Sequence, residues 1–294
     1  MKKPNKILFI PMDGTGPRMV DEEPQEEIDR RKAQVIADSD QRRRKRLANR
    51  PSEIDWGRVE KFIGYGNIEA PLVFIGMEEG LAKPAALDPN VLRQDMLWRS
   101  TFERVMDAKE AHTGLADGPA LFSDTPRRQQ TWRAISDVML HYNGQTLGSK
   151  AERSKARKEY RPLAVGRSVA NSLLIELLPY PSNDRKTWLY PDRFPTRAAY
   201  VAAILPERVK LISEELGRYQ RDAIICYGQG DWPTFKLLFP EARWTAVNGR
   251  YNKFECASWN KAKVTLAYHF SRFFNDDDEL DELSRIALPT SFTG

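Results

Sequence analysis

Ala70-Pro71-Leu72-Val73-Phe74-Ile75-Gly76-Met77-Glu78-Glu79-Gly80 holds the reading that decides the fold. Its apolar run is continuous rather than alternating and is rich in β-branched and aromatic side chains, as in a strand buried on both faces of a parallel sheet. Three further runs follow the same rule: Ser172 to Leu178, ended by Pro179; Asp222 to Gly228; and Lys263 to Tyr268. Helical spacing fills the intervals at Leu92–Lys109, Thr131–His141, Arg197–Tyr219 and Trp232–Phe239. Strands alternating with helices predict an α/β fold, a central four-stranded, mainly parallel sheet flanked by helices in three layers. Ligands then bind beyond the carboxyl ends of the strands.

The remaining sequence bounds the function. Of 294 residues, 41% are hydrophobic and 30% charged, with a net charge of +5, which favours an anionic partner such as nucleic acid. Two cysteines, Cys226 and Cys256, allow neither a disulfide framework nor a four-cysteine cluster, so a reducing, cytoplasmic setting is expected. The apolar run Ile7–Ile10 is too short for a signal-peptide core, and no segment has the length of a membrane span. Residues 1–54 read as a charged arm, 55–275 as the α/β domain with a helical insertion at about 82–165, and 276–294 as an acidic, solvated tail. In the arm, Gly14-Thr15-Gly16 lacks the following Lys-Ser/Thr of a phosphate loop and reads as a turn.

At the strand ends, Gly76-Met77-Glu78-Glu79-Gly80 and His269-Phe270-Ser271-Arg272 frame the site, with Ile224-Ile225-Cys226-Tyr227-Gly228-Gln229-Gly230 between them in the chain. In this order the segments resemble the uracil-DNA glycosylase superfamily, whose first motif is G-x-(D/N/E)-P-G and whose last is H-P-S or N-P-S. Glu79 and Phe270 stand where prolines are usual. The resemblance covers about 60–275, leaving out the arm and the insertion. It implies a metal-free, cofactor-free enzyme that flips a base from DNA and hydrolyses its N-glycosidic bond.

That chemistry leaves positive charge on the sugar and negative charge on the departing base, so it needs an acceptor at one and a donor at the other. Glu78 is expected to stabilise the oxocarbenium-like sugar and the attacking water, with Glu79 the competing carboxylate on the same loop. His269, among only three histidines, is expected to donate to the base. Glu176 falls in the base-reading slot of the middle strand, with Asn171 a less favoured candidate, and Met77 and Tyr65 are expected to line the pocket. As a carboxylate Glu176 only accepts, which suits the amino group of a cytosine-derived base.

Ordinary cytosine is excluded as a target because its excision would destroy the host genome, so the base is expected to be modified. The resemblance extends to anti-phage enzymes that excise glucosylated hydroxymethylcytosine. DNA is expected along Arg185 and Lys186 and along Ser271, Arg272 and Phe273, with Arg272 or Phe273 wedging the gap left by the flipped base. The basic stretch Lys150–Lys158 is a further candidate grip, or a packing embellishment. A monomer is expected. The alternatives are a uracil or mismatch repair glycosylase and an inactive protein that binds modified DNA.

Overall fold

The computed structural model describes residues 6–9, 18–21, 34, 41–42, 44–46, 48–116, 121–122, 129–145, 148–184, 186–273 and 276–289; side chains at 6–9, 18–21 and 272–273 lie outside the description. The chain forms two compact units, Met1–Asn49 and Arg50–Gly294. In the first, β1 (Lys6–Phe9) pairs antiparallel with β2 (Arg18–Asp21), Ile7 opposite Val20. The Gly14-Thr15-Gly16 turn lies outside the described residues.

The larger unit is built on one mixed sheet. Its strands are β3 (Gly64–Gly66), β4 (Leu72–Gly80), β5 (Val105–Met106), β6 (Ser172–Ser182), β7 (Ala223–Tyr227), β8 (Thr245–Asn248), β9 (Lys253–Trp259) and β10 (Ala262–Ala267). They lie in the order β5-β3-β6-β4-β7-β10-β9-β8. The four apolar runs are its centre: β6, β4, β7 and β10 are mutually parallel neighbours, with Leu72 opposite both Ser172 and Ala223 and Leu266 opposite Cys226. The expectation of a four-stranded sheet is corrected to eight strands. β9 and β8 extend one edge antiparallel, and β3 pairs antiparallel with β6 on the other side.

Among the described residues the helices are α1 (Trp56–Lys61), α2 (Lys83–Leu87), α3 (Pro89–Arg99), α4 (Ala108–His112), α5 (Gln130–Tyr142), α6 (Lys150–Ala164), α7 (Arg197–Arg218), α8 (Trp232–Lys236), α9 (Phe270–Phe273) and α10 (Asp277–Ala287). The single helix expected over Leu92–Lys109 is α3 and α4 with β5 between them. Side-chain alternation splits the core in two. Leu72, Phe74, Leu174, Ile225 and Tyr227 pack with Trp132, Ile135, Val138, Leu280 and Leu283 of α5 and α10. Val73, Ile75, Ile175, Ile224, Cys226 and Val264 pack with Ile212, Leu216 and Phe235 of α7 and α8 on the other face.

β6 does not stop at Pro179 but runs on through Pro181 to Ser182. Proline is tolerated in a strand where no ladder N–H is required, and β3 flanks β6 only as far as Ile175. Beyond that point the buried guanidinium of Arg208 takes over: it donates to the carbonyls of Glu176 and Leu177 and to those of Glu60 and Phe62. Burial lowers its pKa to about 10, still fully charged at neutral pH.

The acidic run expected as solvated surface is the first half of α10. Asp276 and Glu279 form a capping box, while Leu280, Leu283 and Ile286 are buried against the sheet. Asp277 accepts from Arg133 at 2.8 Å and Arg157 at 2.6 Å. Asp281 accepts from Arg153 and lies 2.9 Å from His141 Nε2. Arg157 also clasps the fully buried Asp137 through two bonds of 2.6 Å. The basic stretch Lys150–Lys158 is therefore two-sided: Arg153 and Arg157 are buried in this network, and Lys150, Lys155 and Lys158 face solvent.

Candidate functional site at the carboxyl ends of the central strands

Glu176, Gly76 and Tyr227 stand side by side on adjacent strands. Gly76 is the register partner of Glu176, and the β4–β7 pairing that matches Ile75 with Cys226 brings Tyr227 to its other side. All three belong to the sheet face that carries Phe74, Leu174 and Ile225. Because Gly76 has no side chain, the Glu176 carboxyl reaches across it, and Tyr227 donates its hydroxyl to Glu176 Oε1 at 3.3 Å. A Cβ at position 76 would lie 2.3 Å from Glu176 Oε2 and 2.7 Å from the Tyr227 oxygen. The glycine is thus required by the row of side chains, not by its backbone angles.

The two loop glutamates separate. Pairing of β4 with β6 slips between Glu78 and Gly80, and a slip of this kind re-aims side chains. Glu78 pairs with Arg197, at the start of α7, with 2.8 Å between Oε1 and the guanidinium. Glu79 turns to the opposite face, where Arg99 holds both its oxygens at 2.8 and 3.0 Å and Tyr65 donates to it at 2.7 Å. Burial works to raise the pKa of Glu79, but the Arg99 charge prevails and lowers it to about 2. Glu79, at the position where proline is usual, is half of a partly buried ion pair.

Glu176 has the opposite balance. Burial, the charge of Glu79 and, more weakly, that of Glu78 raise its pKa to about 8, against the Tyr227 hydrogen bond and Arg99, which lower it. Its Oε2 atom is shielded from solvent and has no hydrogen-bond partner among the described residues. The pKa of Tyr227 is itself raised well above the ordinary tyrosine value, first by burial and then by Glu176.

His269 follows β10 directly. Its Nδ1 receives the backbone N–H of Ser271 at 3.3 Å and lies 2.8 Å from the Ser271 hydroxyl. A ring nitrogen that accepts from a backbone N–H carries no proton of its own, so the neutral ring holds its proton on Nε2 and is a donor there. The ring meets Tyr227 edge to face, centroids 5.9 Å apart. Phe270, at the expected proline position, is buried and stacked on the other side of the Tyr227 ring at 4.5 Å. Tyr227 therefore joins Glu176 to the His269 segment.

The other expected site residues scatter. Tyr65 is buried, with its hydroxyl committed to Glu79, and it packs against His112 at 5.0 Å. His112 Nδ1 donates to the Ala108 carbonyl at 2.7 Å, and burial lowers the pKa of the ring. Met77 packs on the α7 side of the sheet, so it and Tyr65 do not share a wall. Asn171 precedes β6 at the amino end of the strand, about 16 Å from Glu176 at 3.3 Å per residue, and lies outside the site. Lys186 is exposed, its backbone N–H held by Asp184 at 2.7 Å. Arg185 lies outside the described residues, as do the side chains of Arg272 and Phe273, whose backbones close α9.

Sequence reasoning missed Arg99, Arg197 and Tyr227. The first two sit in ordinary helical patterns. Tyr227 ends an apolar run and carried a signal only as the last residue before Gly228. Among the described residues no group of three or more histidines, cysteines and acids is arranged to hold a metal ion, and no helix is long and apolar enough to cross a membrane. Comparison with protein-family models, with curated proteins and with solved structures finds no match to this chain.

Proposed function

We propose that the chain is a monofunctional DNA glycosylase that flips a modified pyrimidine out of DNA, hydrolyses its N-glycosidic bond and leaves an abasic site, with glucosylated hydroxymethylcytosine in phage DNA as the favoured substrate. The observation that carries this reading is the row Glu176–Tyr227–His269 across adjacent strands, with Glu78 near the end of β4. It supplies the charges that the reaction needs. Glu78, paired with Arg197, stabilises the oxocarbenium-like sugar and orients the attacking water. His269 donates from Nε2 to the base oxygen that gains negative charge as the bond breaks. Glu176 reads the base edge from the floor.

A second reading, a DNA-binding protein without activity, is favoured by the Glu78–Arg197 pair, which offsets the charge meant for the sugar. One experiment separates them. The purified chain is incubated with phage DNA containing glucosylated hydroxymethylcytosine and with uracil-containing duplex, and abasic sites are counted beside Glu78→Gln and His269→Ala. Sites in the modified DNA alone, reduced at least a hundredfold in both variants, are expected. Sites in the uracil duplex alone make the protein a repair enzyme, and tight binding with sites in neither makes it the inactive binder.

A further inference from the structure

We propose that Glu176 meets the flipped base as an uncharged carboxyl, its Oε2 hydroxyl donating to the pyrimidine ring nitrogen N3 while Oε1 accepts from the exocyclic amine. The proposal rests on the glycosylase reading and replaces the acceptor-only role expected from a carboxylate. It begins from charge placement. Three carboxylates lie on the adjoining strands β4 and β6: Arg197 is spent on Glu78 and Arg99 on Glu79. Glu176 forms no ion pair among the described residues, and the two carboxylates of β4 disfavour a third charge beside them.

Among the described residues, the groups that face Glu176 from each packed element leave it no cation of its own. From β4 come Glu78 and Glu79; from α3 comes Arg99, already bidentate on Glu79; from β7 comes the Tyr227 hydroxyl. Tyr65 of β3 and His112 of α4 lie behind Glu79 and are spent on it and on the Ala108 carbonyl. Tyr227 donates, so Oε1 is the acceptor oxygen, and the proton falls to Oε2. That hydroxyl has no partner among the described residues. A buried polar atom left unmet is destabilising, and a ligand acceptor relieves it.

An uncharged carboxyl presents one donor and one acceptor side by side. The edge of a cytosine-derived base presents the complement, N3 as acceptor and the N4 amine as donor. Because Oε2 is shielded, the base reaches it only when the Glu176 side chain swings off Gly76. Tyr227 is a positioning residue: it decides which oxygen is the acceptor and touches the base through Glu176 alone.

The test has two readouts on the full chain. Infrared difference spectra between pH 6 and pH 9.5, taken on the protein alone, report a protonated carboxyl directly, and abasic-site formation in modified phage DNA is followed over the same range. The expected result is a carboxyl band that is lost with a midpoint near pH 8, absent in Glu176→Gln, with excision falling about tenfold per pH unit above that midpoint. Gln keeps a donor and an acceptor, so its slower excision has no such limb, whereas Glu176→Leu loses at least tenfold at every pH. Tyr227→Phe moves the midpoint upward, because the hydrogen bond it removes favours the ionised form. No band at pH 6 overturns the proposal. So does a band accompanied by excision that ignores pH. A band with no base released from any DNA also overturns it, and shows that the glycosylase reading, not the protonation, has failed.

Discussion

Two charge clusters in the larger unit have nearly the same ingredients and opposite accounts. Between α5, α6 and α10, the carboxylates Asp137, Asp277 and Asp281 meet the guanidiniums Arg133, Arg153 and Arg157, three against three, so that each carboxylate touches at least one cation. At the strand ends, Glu78 pairs with Arg197 and Glu79 with Arg99, and Glu176 pairs with no cation among the described residues. The balanced cluster anchors the last helix to its neighbours. The unbalanced one keeps a carboxyl that, among the described residues, is spent on no structural partner but a tyrosine, and such a group is available for chemistry. Perturbed groups gather at functional sites for this reason.

Breaking the balanced cluster gives the largest effect. Arg157→Met strips the buried Asp137 of its bidentate partner and is expected to cost about 3–5 kcal/mol, a fall in Tm of roughly 10 °C by calorimetry. Arg99→Met does the same to Glu79 with one difference in pH. The depressed pKa of Glu79 means that its contribution is present above the unfolded value and lost as pH falls toward 2, so the gap to the wild type is widest at pH 7 and narrows by pH 3. Urea titrations at both pH values check this.

The unbalanced cluster is sharpened by removing its odd charge. The folded pKa of Glu176 is raised, so the wild type keeps a proton that the unfolded chain gives up, and stability falls by about 1.4 kcal/mol per pH unit between roughly pH 4.5 and 8. Glu176→Gln abolishes this slope, and its Tm relative to the wild type is expected to rise from pH 5 to pH 9. Gly76→Ala places a methyl group against the Glu176 carboxyl and the Tyr227 hydroxyl, for a loss of about 1–3 kcal/mol and of base excision together. Ser271→Ala is the mildest change. The backbone N–H still serves His269 Nδ1, and a drop of only about fivefold in excision rate is expected from single-turnover measurement.

The four central strands were legible because strands covered on both faces are written as unbroken apolar runs. The edges were not. β9 carries Lys253, Glu255 and Ser258 among its apolar residues, and β3 is three residues long, so neither departs from the background of loops. The acidic run of α10 hid an apolar spacing at Leu280, Leu283 and Ile286, because counting charges obscures a stripe on the other side of a helix. At the site, His269 and Glu176 were found from strand ends. The fate of Glu79 was not, since a slipped register is a tertiary event with no local signature.

The long β6 strand has one further consequence, for self-association. A strand flank with open backbone groups is a template on which another chain can add, and proteins guard such edges. β3 leaves most of β6 uncovered on one side, yet from Glu176 to Pro181 little is open to a newcomer. Arg208 occupies the carbonyls of Glu176 and Leu177, Tyr190 donates to that of Pro181, the Tyr200 hydroxyl takes the N–H of Tyr180, and the two prolines offer no N–H at all. The same side chains that position the strand close it to intermolecular pairing, so a chain lacking Arg208 would expose a ready edge for aggregation.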